Sequence, residues 1–417
     1  LHTEYSLLDA TIRLPDLIQK LQDSGMKACA ITDHGNMYGA YKFVSAMKEA
    51  GLKPILGCEI YIAPRGMDKK DFGIDNKYFH LVLLAKNLQG YKNLANIVSI
   101  AHMEGFYYRP RIDIETLSKY TDGLIALSAC LVGPISVPLL EGKYEKALET
   151  AKRYSEMFKD NFFIELQRNG MKEQEIVNEG LLKIAKELDL PIVATCDSHY
   201  LNKEDAQIQE IMWCIADGKS WDDPERRMMP TNEFYVKTPK EMEELFKDLP
   251  EAIQNTQKIT DMIEEYDITF DRIEPKYLDL PKGETSKSYL RKLALEGMKK
   301  KYDEITDSLK ERVEYELKII DDKMYNDYFL VVRDFVMFCR QNGIVVGMRG
   351  SGCGSVVAYC TDITDIEPIS WELYFERFLN PERDSPPDFD IDIADQRRDE
   401  LIQYTIQKYG FDNVKQI

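Results

Sequence analysis

Between residues 27 and about 240 the sequence alternates short, β-rich apolar runs with amphipathic helical ones, and this alternation constrains the fold more than any other feature. The runs are "KACAITD" (27 to 33), "KPILGCEIYI" (53 to 62), "FHLVLLAK" (79 to 86), "LIALSAC" (124 to 130), "FFIELQ" (162 to 167) and "PIVATCD" (191 to 197). Between them stand helical patterns such as "YEKALETAKRYSEMF" (144 to 158) and "EIVNEGLLKIAKEL" (175 to 188). Strands that are apolar on both faces, separated by helices, predict a parallel sheet covered on each side, here closed into a barrel.

The 417 residues exceed one ordinary core, so two domains, or a barrel plus an appendage, are expected. Proline-marked segments between about 240 and 280 suit a boundary, placing one domain at 1–275 and another at 276–417. No apolar run approaches the roughly 20 residues of a membrane-spanning helix, so no membrane partner is expected. The eight cysteines are scattered without CxxC spacing, which reads as reduced thiols and a cytoplasmic protein. The chain starts without methionine and stops after "NVKQI", which reads as a piece of something longer. A net charge of −18 lacks the basic footprint of nucleic-acid binding, but part of that acidity reads as metal ligand.

Histidines are few, and most stand where ligands belong. "LHTEYSLLD" supplies His2 and Asp9, "ITDHGN" supplies His34, "GCEIY" supplies Glu59, and "CDSHY" supplies Asp197 and His199. In a β/α barrel, the carboxyl ends of different strands converge on one mouth. Imidazoles and carboxylates gathered there suit zinc, manganese or iron, with Cys130 able to join as a thiolate. A lone strand-end histidine is more often structural, and His102, within a helical pattern, is left with that reading. His80 begins its run instead of ending it, so barrel geometry alone does not bring it to the mouth.

A second constellation lies near the end. Val313, Leu317, Ile320 and Met324 form a helical apolar stripe, read as core. "GMRGSGCGS" (347 to 355) has little bulk, and its amides, with the start of the helix "SVVAYC" behind them, suit a phosphate nest. Arg349, Arg377 and Arg383 add guanidinium forks. In "PPDFDID", alternation puts Asp388, Asp390 and Asp392 on one face of a strand, where like charges require a cation. Carboxylates beside a phosphate loop are the requirement of nucleotidyl transfer with two Mg²⁺ ions.

These motifs carry a resemblance. "HTEYSLLDA", "ITDHGNMYGA", "GCEIYIA", "FHLVLLAKN", "GLIALSACL" and "VATCDSHY" resemble the successive motifs of the PHP (polymerase and histidinol phosphatase) domain. "VVGMRGSGCGS", "ITDIEP", "FERFLNPER" and "PPDFDID" are similar to the palm of the C-family bacterial replicative DNA polymerases, of the type with no exonuclease inserted in the PHP region. The resemblance implies an α/β fold, a distorted (β/α)7-like PHP barrel followed by a partial polymerase β-like nucleotidyltransferase palm. It implies His2, Asp9, His34, Glu59, His80, Cys130, Asp197 and His199 as ligands of up to three metals, with His2 as the second histidine of the family's His-x-His-Thr motif. It further implies Asp388 and Asp390 as the catalytic Mg²⁺ pair, and Arg349, Gly350, Ser351, Arg377 and Arg383 as nucleotide-binding residues.

The function so implied is template-directed DNA synthesis on a primer-template from deoxynucleoside triphosphates, with the PHP domain a metal-dependent 3′ to 5′ exonuclease. A third catalytic aspartate and the regions that bind the sliding clamp and other replisome subunits are expected beyond Ile417, so this chain alone is expected not to extend a primer. The rival readings are a free-standing PHP phosphoesterase and a non-catalytic PHP scaffold bracing a polymerase.

Overall fold

The computed structural model describes residues 1–270, 273–380, 382 and 387–414, apart from the side chain of Asp412. It divides into two compact units, Leu1–Phe270 and Asp271–Ile417.

The first unit is built on eight strands: β1 (Ala28–Ile31), β2 (Lys53–Ile62), β3 (Phe79–Ala85), β4 (Phe106–Tyr107), β5 (Arg109–Ile112), β6 (Leu124–Leu127), β7 (Phe162–Gln167) and β8 (Ile192–Thr195). The order is β4-β5-β2-β3-β6-β7-β8, with β1 paired to β2. The sheet curls into a half-barrel. The N-terminal segment spans from β8 to β1 at the rim, where His2 N donates to Ser198 O at 2.8 Å and Thr32 N donates to Leu1 O at 2.9 Å.

All six apolar runs form strands, but the sheet is not uniformly parallel. β3 runs antiparallel to both β2 and β6, whereas the β1–β2, β2–β5, β6–β7 and β7–β8 pairs are parallel. The short antiparallel hairpin β4–β5 was not foreseen.

Alternation gives the strands two different faces. On the outer face Leu56, Cys58, Ile60, Leu81, Leu83, Ala126, Ile164 and Leu166 pack beneath helices including Leu14–Asp23, Ala40–Glu49 and Tyr144–Phe158. On the inner face Ile55, Val82, Leu84, Ile125, Leu127, Phe163 and Val193 form a separate cluster. The helix Pro250–Met262 and the residue after it plug this cluster with Ile259 and Ile263. Each such buried isoleucine contributes about 1.5–3 kcal/mol of transfer free energy. Pro239 and Pro250 are the first residues of two helices, where a missing N–H costs nothing.

The second unit is mainly helical, with helices Ser286–Lys301, Asp307–Asp322 and Asn326–Gln341 around a core that includes Leu290, Val313, Leu317, Ile320, Phe329 and Val357. Met324 departs from the predicted stripe. The helix ends at Asp322, and Met324 takes φ +61° and is 75% exposed. A two-stranded antiparallel ribbon completes the unit: β9 (Val346–Arg349) and β10 (Asp390–Ile393).

Candidate metal centre and nucleotide loop

Following the inner face along each strand leads from apolar residues to donors in steps of two: Ile55 to Glu59, Val193 to Asp197, Phe163 to Glu165. Because β3 is reversed, its first residues reach the same end, so Leu84 and Val82 lead back to His80. Antiparallel entry is the physical reason that a strand-opening histidine arrives at the mouth. His34 sits just past β1, bridged to Glu59 of β2.

All eight predicted ligands meet there. In each of three groups the donor atoms lie within 4.8 Å of one another: His2, His34 and His199; His34, Glu59 and His80; His2, Glu59 and Asp197. His2 Nε2 is 3.1 Å from Asp197 Oδ1 and 3.6 Å from Glu59 Oε2. Glu59 Oε1 also touches His80 Nδ1 and lies 3.5 Å from His34 Nδ1. Asp9 Oδ2 is 3.4 Å from His34 Nε2, and Cys130 Sγ is 3.5 Å from His80 Nδ1. His102 instead faces the Gly35 carbonyl at 2.9 Å, in keeping with its structural reading.

The electrostatics of this packing call for a cation. The His2 and His34 rings stack at 4.0 Å, too close for two imidazolium charges in a buried site. Burial lowers the affinity of His2 for a proton, but the carboxylates Asp197 and Glu59 outweigh it and raise the pKa to about 10. Burial and the positive His2 then push His34 well below its ordinary value, and burial, again with His2, lowers His199. Burial and the Glu59 and Asp197 charges push the Cys130 thiol well up. His34 Nδ1 is buried without a hydrogen bond. A buried ring nitrogen without a hydrogen bond, shared carboxylates and adjacent imidazoles form a donor set that fits divalent metal.

Several neighbours hold these ligands, and sequence reading did not identify them. Asp33, 2% exposed, accepts from Thr3 N (2.6 Å), Thr3 Oγ1 (2.8 Å) and Ser6 Oγ (2.7 Å), tying down the segment that bears His2 and Asp9. Trp213 Nε1 donates to Asp9 Oδ1 at 2.6 Å. Glu165 accepts from Ala129 N (3.0 Å), Thr195 Oγ1 (2.5 Å) and Gln167 Nε2 (3.1 Å), joining the loops that carry Cys130 and Asp197. Burial raises its pKa to about 7. Backbone strain gathers here as well: Leu8, Ala129 and Asp197 have φ of +60°, +62° and +50°. Left-handed non-glycine residues cost about 1–2 kcal/mol each and concentrate at functional sites.

In the second unit, Phe389 packs inward, its ring centroid 4.7 Å from that of Phe378 and 5.0 Å from that of Phe329. The acidic residues on either side of it are accordingly left toward solvent, Asp388 exposed and Asp390 half-buried. Asp390 pairs with Arg349 across the ribbon and Asp392 with Gly347. Arg349 is the cation beside them, with Nη1 3.6 Å from Asp390 Oδ2 and Nε 3.2 Å from Asp392 Oδ1. Asp388 precedes the paired segment. Gly350 adopts φ +77°, and a Cβ there would stand 2.6 Å from Asp390 Oδ2, so the loop turns directly against that carboxylate. Ser351 opens the following 3₁₀ turn and is exposed. Arg377 is exposed, and among the described residues its side chain makes no ion pair with the aspartates. Arg383 lies outside the described residues.

The start of the helix Val356–Cys360 is not open to phosphate. The fully buried carboxylate of Glu316 takes its first amides, accepting from Val356 N (3.1 Å) and Val357 N (2.9 Å) and from Ser355 Oγ (2.8 Å), while Arg312 Nε donates to it at 2.7 Å. Burial raises the Glu316 pKa against these donors. The anion site expected from sequence is thus filled from within the protein at its helical end, leaving the turn at Arg349, Gly350 and Ser351 facing Asp390.

Comparison with known proteins agrees with both halves. Residues 1–169 match the PHP domain, and residues 288–417 match the bacterial DNA polymerase III alpha NTPase domain. The whole chain is 48% identical to DNA polymerase III subunit alpha of Borreliella burgdorferi, 42% to that of Treponema pallidum and 40% to that of Aquifex aeolicus. It spans 36%, 36% and 38% of the lengths of those relatives. A crystallised Bifidobacterium adolescentis protein described as a metal-dependent phosphoesterase shares 15% identity over 57% of this chain and 92% of its own, with a TM-score of 0.24, a likeness too weak to bear on fold. Among the described residues no helix is long and apolar enough to cross a membrane. Over its full length the chain is similar to bacterial DNA polymerase III alpha subunits, with residues 1–169 matching the PHP domain and residues 288–417 the alpha NTPase domain.

Proposed function

We propose that this chain is the amino-terminal portion of a cytoplasmic replicative DNA polymerase, and that its first unit hydrolyses phosphoesters at DNA 3′ ends. The observation that carries the hydrolytic reading is the interlocking of three donor groups through shared His2, His34 and Glu59. His2, Asp9, His34, Glu59, His80, Cys130, Asp197 and His199 would hold up to three Zn²⁺, Mn²⁺ or Fe²⁺ ions. Divalent metal supplies Lewis acidity toward a phosphate oxygen and makes water more acidic. The chain's own part is positional. Glu59 orients His80, Trp213 fixes Asp9, and Asp33 anchors the segment bearing His2.

For synthesis, Asp388 and Asp390 would hold two Mg²⁺ ions, while Arg349, Gly350, Ser351, Arg377 and Arg383 receive the triphosphate of the incoming nucleotide on a DNA primer-template. Arg349 already neutralises Asp390, so metal entry would free its guanidinium for phosphate. Clamp and replisome partners would engage other parts of the full-length protein.

The test is Asp390→Asn in the full-length parent. Primer extension should fall by several orders of magnitude while metal-dependent removal of 3′-terminal nucleotides persists. Undiminished synthesis would refute the palm assignment, and hydrolysis unaffected by His34→Asn would refute the metal-centre assignment.

A further inference from the structure

The metal centre opens into a cleft of about 420 Å³, walled by His34 and Asp9 at its inner end and by Leu8, Tyr38, Tyr108 and Arg109 further out. Two of these residues are held in a conformation that side chains avoid. Leu8 has φ +60° and Tyr108 φ +61°. Tyr108 is the single residue between β4 and β5, where Tyr107 pairs with Arg109. A turn this tight ordinarily takes glycine. The tyrosine there is 60% exposed, as is Tyr38 at 61%, so burial does not repay the strain. The neighbouring Arg109 is exposed, stands 5.9 Å from the Tyr61 ring, hydrogen-bonds the Tyr78 side chain, and feels the Asp9 carboxylate without forming an ion pair with it among the described residues.

A largely exposed aromatic ring braced edge-on by Tyr107 at 4.8 Å, beside a guanidinium without an ion-paired carboxylate, matches the two halves of a nucleotide. The base has a face for stacking on the ring, and the phosphate has oxygens for the fork. Continuity with His34 and Asp9 favours this occupant over a protein segment, because a phosphate held by Arg109 would lie on the path to the donor cluster. We propose that Tyr108 and Arg109 form a nucleotide subsite at the entrance of the metal centre, the base stacked on Tyr108 and its phosphate gripped by Arg109. This rests on the reading of the cluster as one that handles phosphate esters of DNA.

The experiment uses the 417-residue chain loaded with Mn²⁺, titrated calorimetrically with thymidine 5′-monophosphate and, separately, with 2-deoxyribose 5-phosphate. The wild type should prefer the nucleotide by about tenfold or more. Tyr108→Gly, which suits the left-handed backbone and should melt no lower than wild type, should lose that preference while binding the sugar phosphate unchanged. Tyr108→Phe should keep the preference, and Arg109→Gln should weaken both ligands. Equal binding of the two ligands by wild type, an undiminished preference in Tyr108→Gly, or no nucleotide binding at all would overturn the subsite. Failure of Mn²⁺ to bind would instead sink the metal reading, and the same titrations with chelator present would still decide the subsite.

Discussion

Replacing Glu316 with alanine should loosen the glycine loop more than any other single truncation in the second unit. The carboxylate is fully buried and accepts from two backbone amides, one hydroxyl and one guanidinium. Not all four partners suffer equally when it goes. The Ser355 hydroxyl loses the acceptor of its proton but keeps its bond from Ala358 N at 3.0 Å, and the Arg312 side chain, 26% exposed, can turn to water. Val356 N and Val357 N cannot. Each buried amide left without an acceptor costs about 1–3 kcal/mol, so the pair sums to about 4 kcal/mol, within the range of about 3–5 kcal/mol for breaking a buried charged pair. Four kcal/mol corresponds to about three decades in an opening equilibrium. Hydrogen exchange followed by mass spectrometry reads this directly. Peptides covering residues 350–361 of Glu316→Ala should lose about 10³ in protection, and Glu316→Gln, which keeps one acceptor oxygen, should lose about 10-fold to 100-fold. The strands of the first unit should be unchanged. Protection of the 356–360 amides within threefold of wild type would show that the carboxylate does not hold this helix, and the account of a loop fixed from behind would fail.

Gly350→Ala tests the other side of the loop: its φ of +77° makes alanine cost about 1–2 kcal/mol, and its Cβ would displace the Asp390 carboxylate, so the chain should fold with a slightly lower melting temperature while primer extension by the full-length parent collapses. Glu165 gives the first unit a pH dependence. Its folded pKa of about 7 stands above the unfolded value of about 4.5, so its contribution is complete below pH 4.5 and is lost as pH rises through 7. In chelator-treated protein, urea titrations from pH 5 to 8 should register about 2.5 kcal/mol lost by wild type and a much flatter profile for Glu165→Gln.

The strands of the first unit were legible because a run apolar on both faces, such as "FHLVLLAK", fits little except a covered sheet. The β4–β5 hairpin was not, because "FYYRPRI" carries two arginines and a proline, and its pairing depends on the neighbouring β2. The residues that gather at the mouth were named by motif resemblance, with strand-end position pointing to His34, Cys130, Asp197 and His199 alone. The residues that hold those ligands were silent. Glu316 reads in sequence as one more charge on a highly charged helix, and Glu165 as a lone acid in an apolar strand. Their roles exist only once the fold sets a helix start, or two ligand loops, against them.

The reversal of β3 shows why direction is the hardest part of a sheet to read from sequence. A period of two reads the same forwards and backwards, so "FHLVLLAK" fits the inner face in either sense. What breaks the symmetry is the location of the polar residue. In a parallel β3, His80 would lie at the apolar floor beside Ile259 and Ile263, a desolvated imidazole with no carboxylate within reach, at a cost of several kcal/mol. Antiparallel, it meets Glu59 and Cys130 at the mouth, while Leu84 fills the floor. The donor at the head of the strand thus opposes the parallel direction on energetic grounds. The same test, asking which strand sense moves an isolated donor toward other donors and apolar residues toward the plug, applies to every strand of this sheet, and β2, β7 and β8 each satisfy it in the parallel sense through Glu59, Glu165 and Asp197.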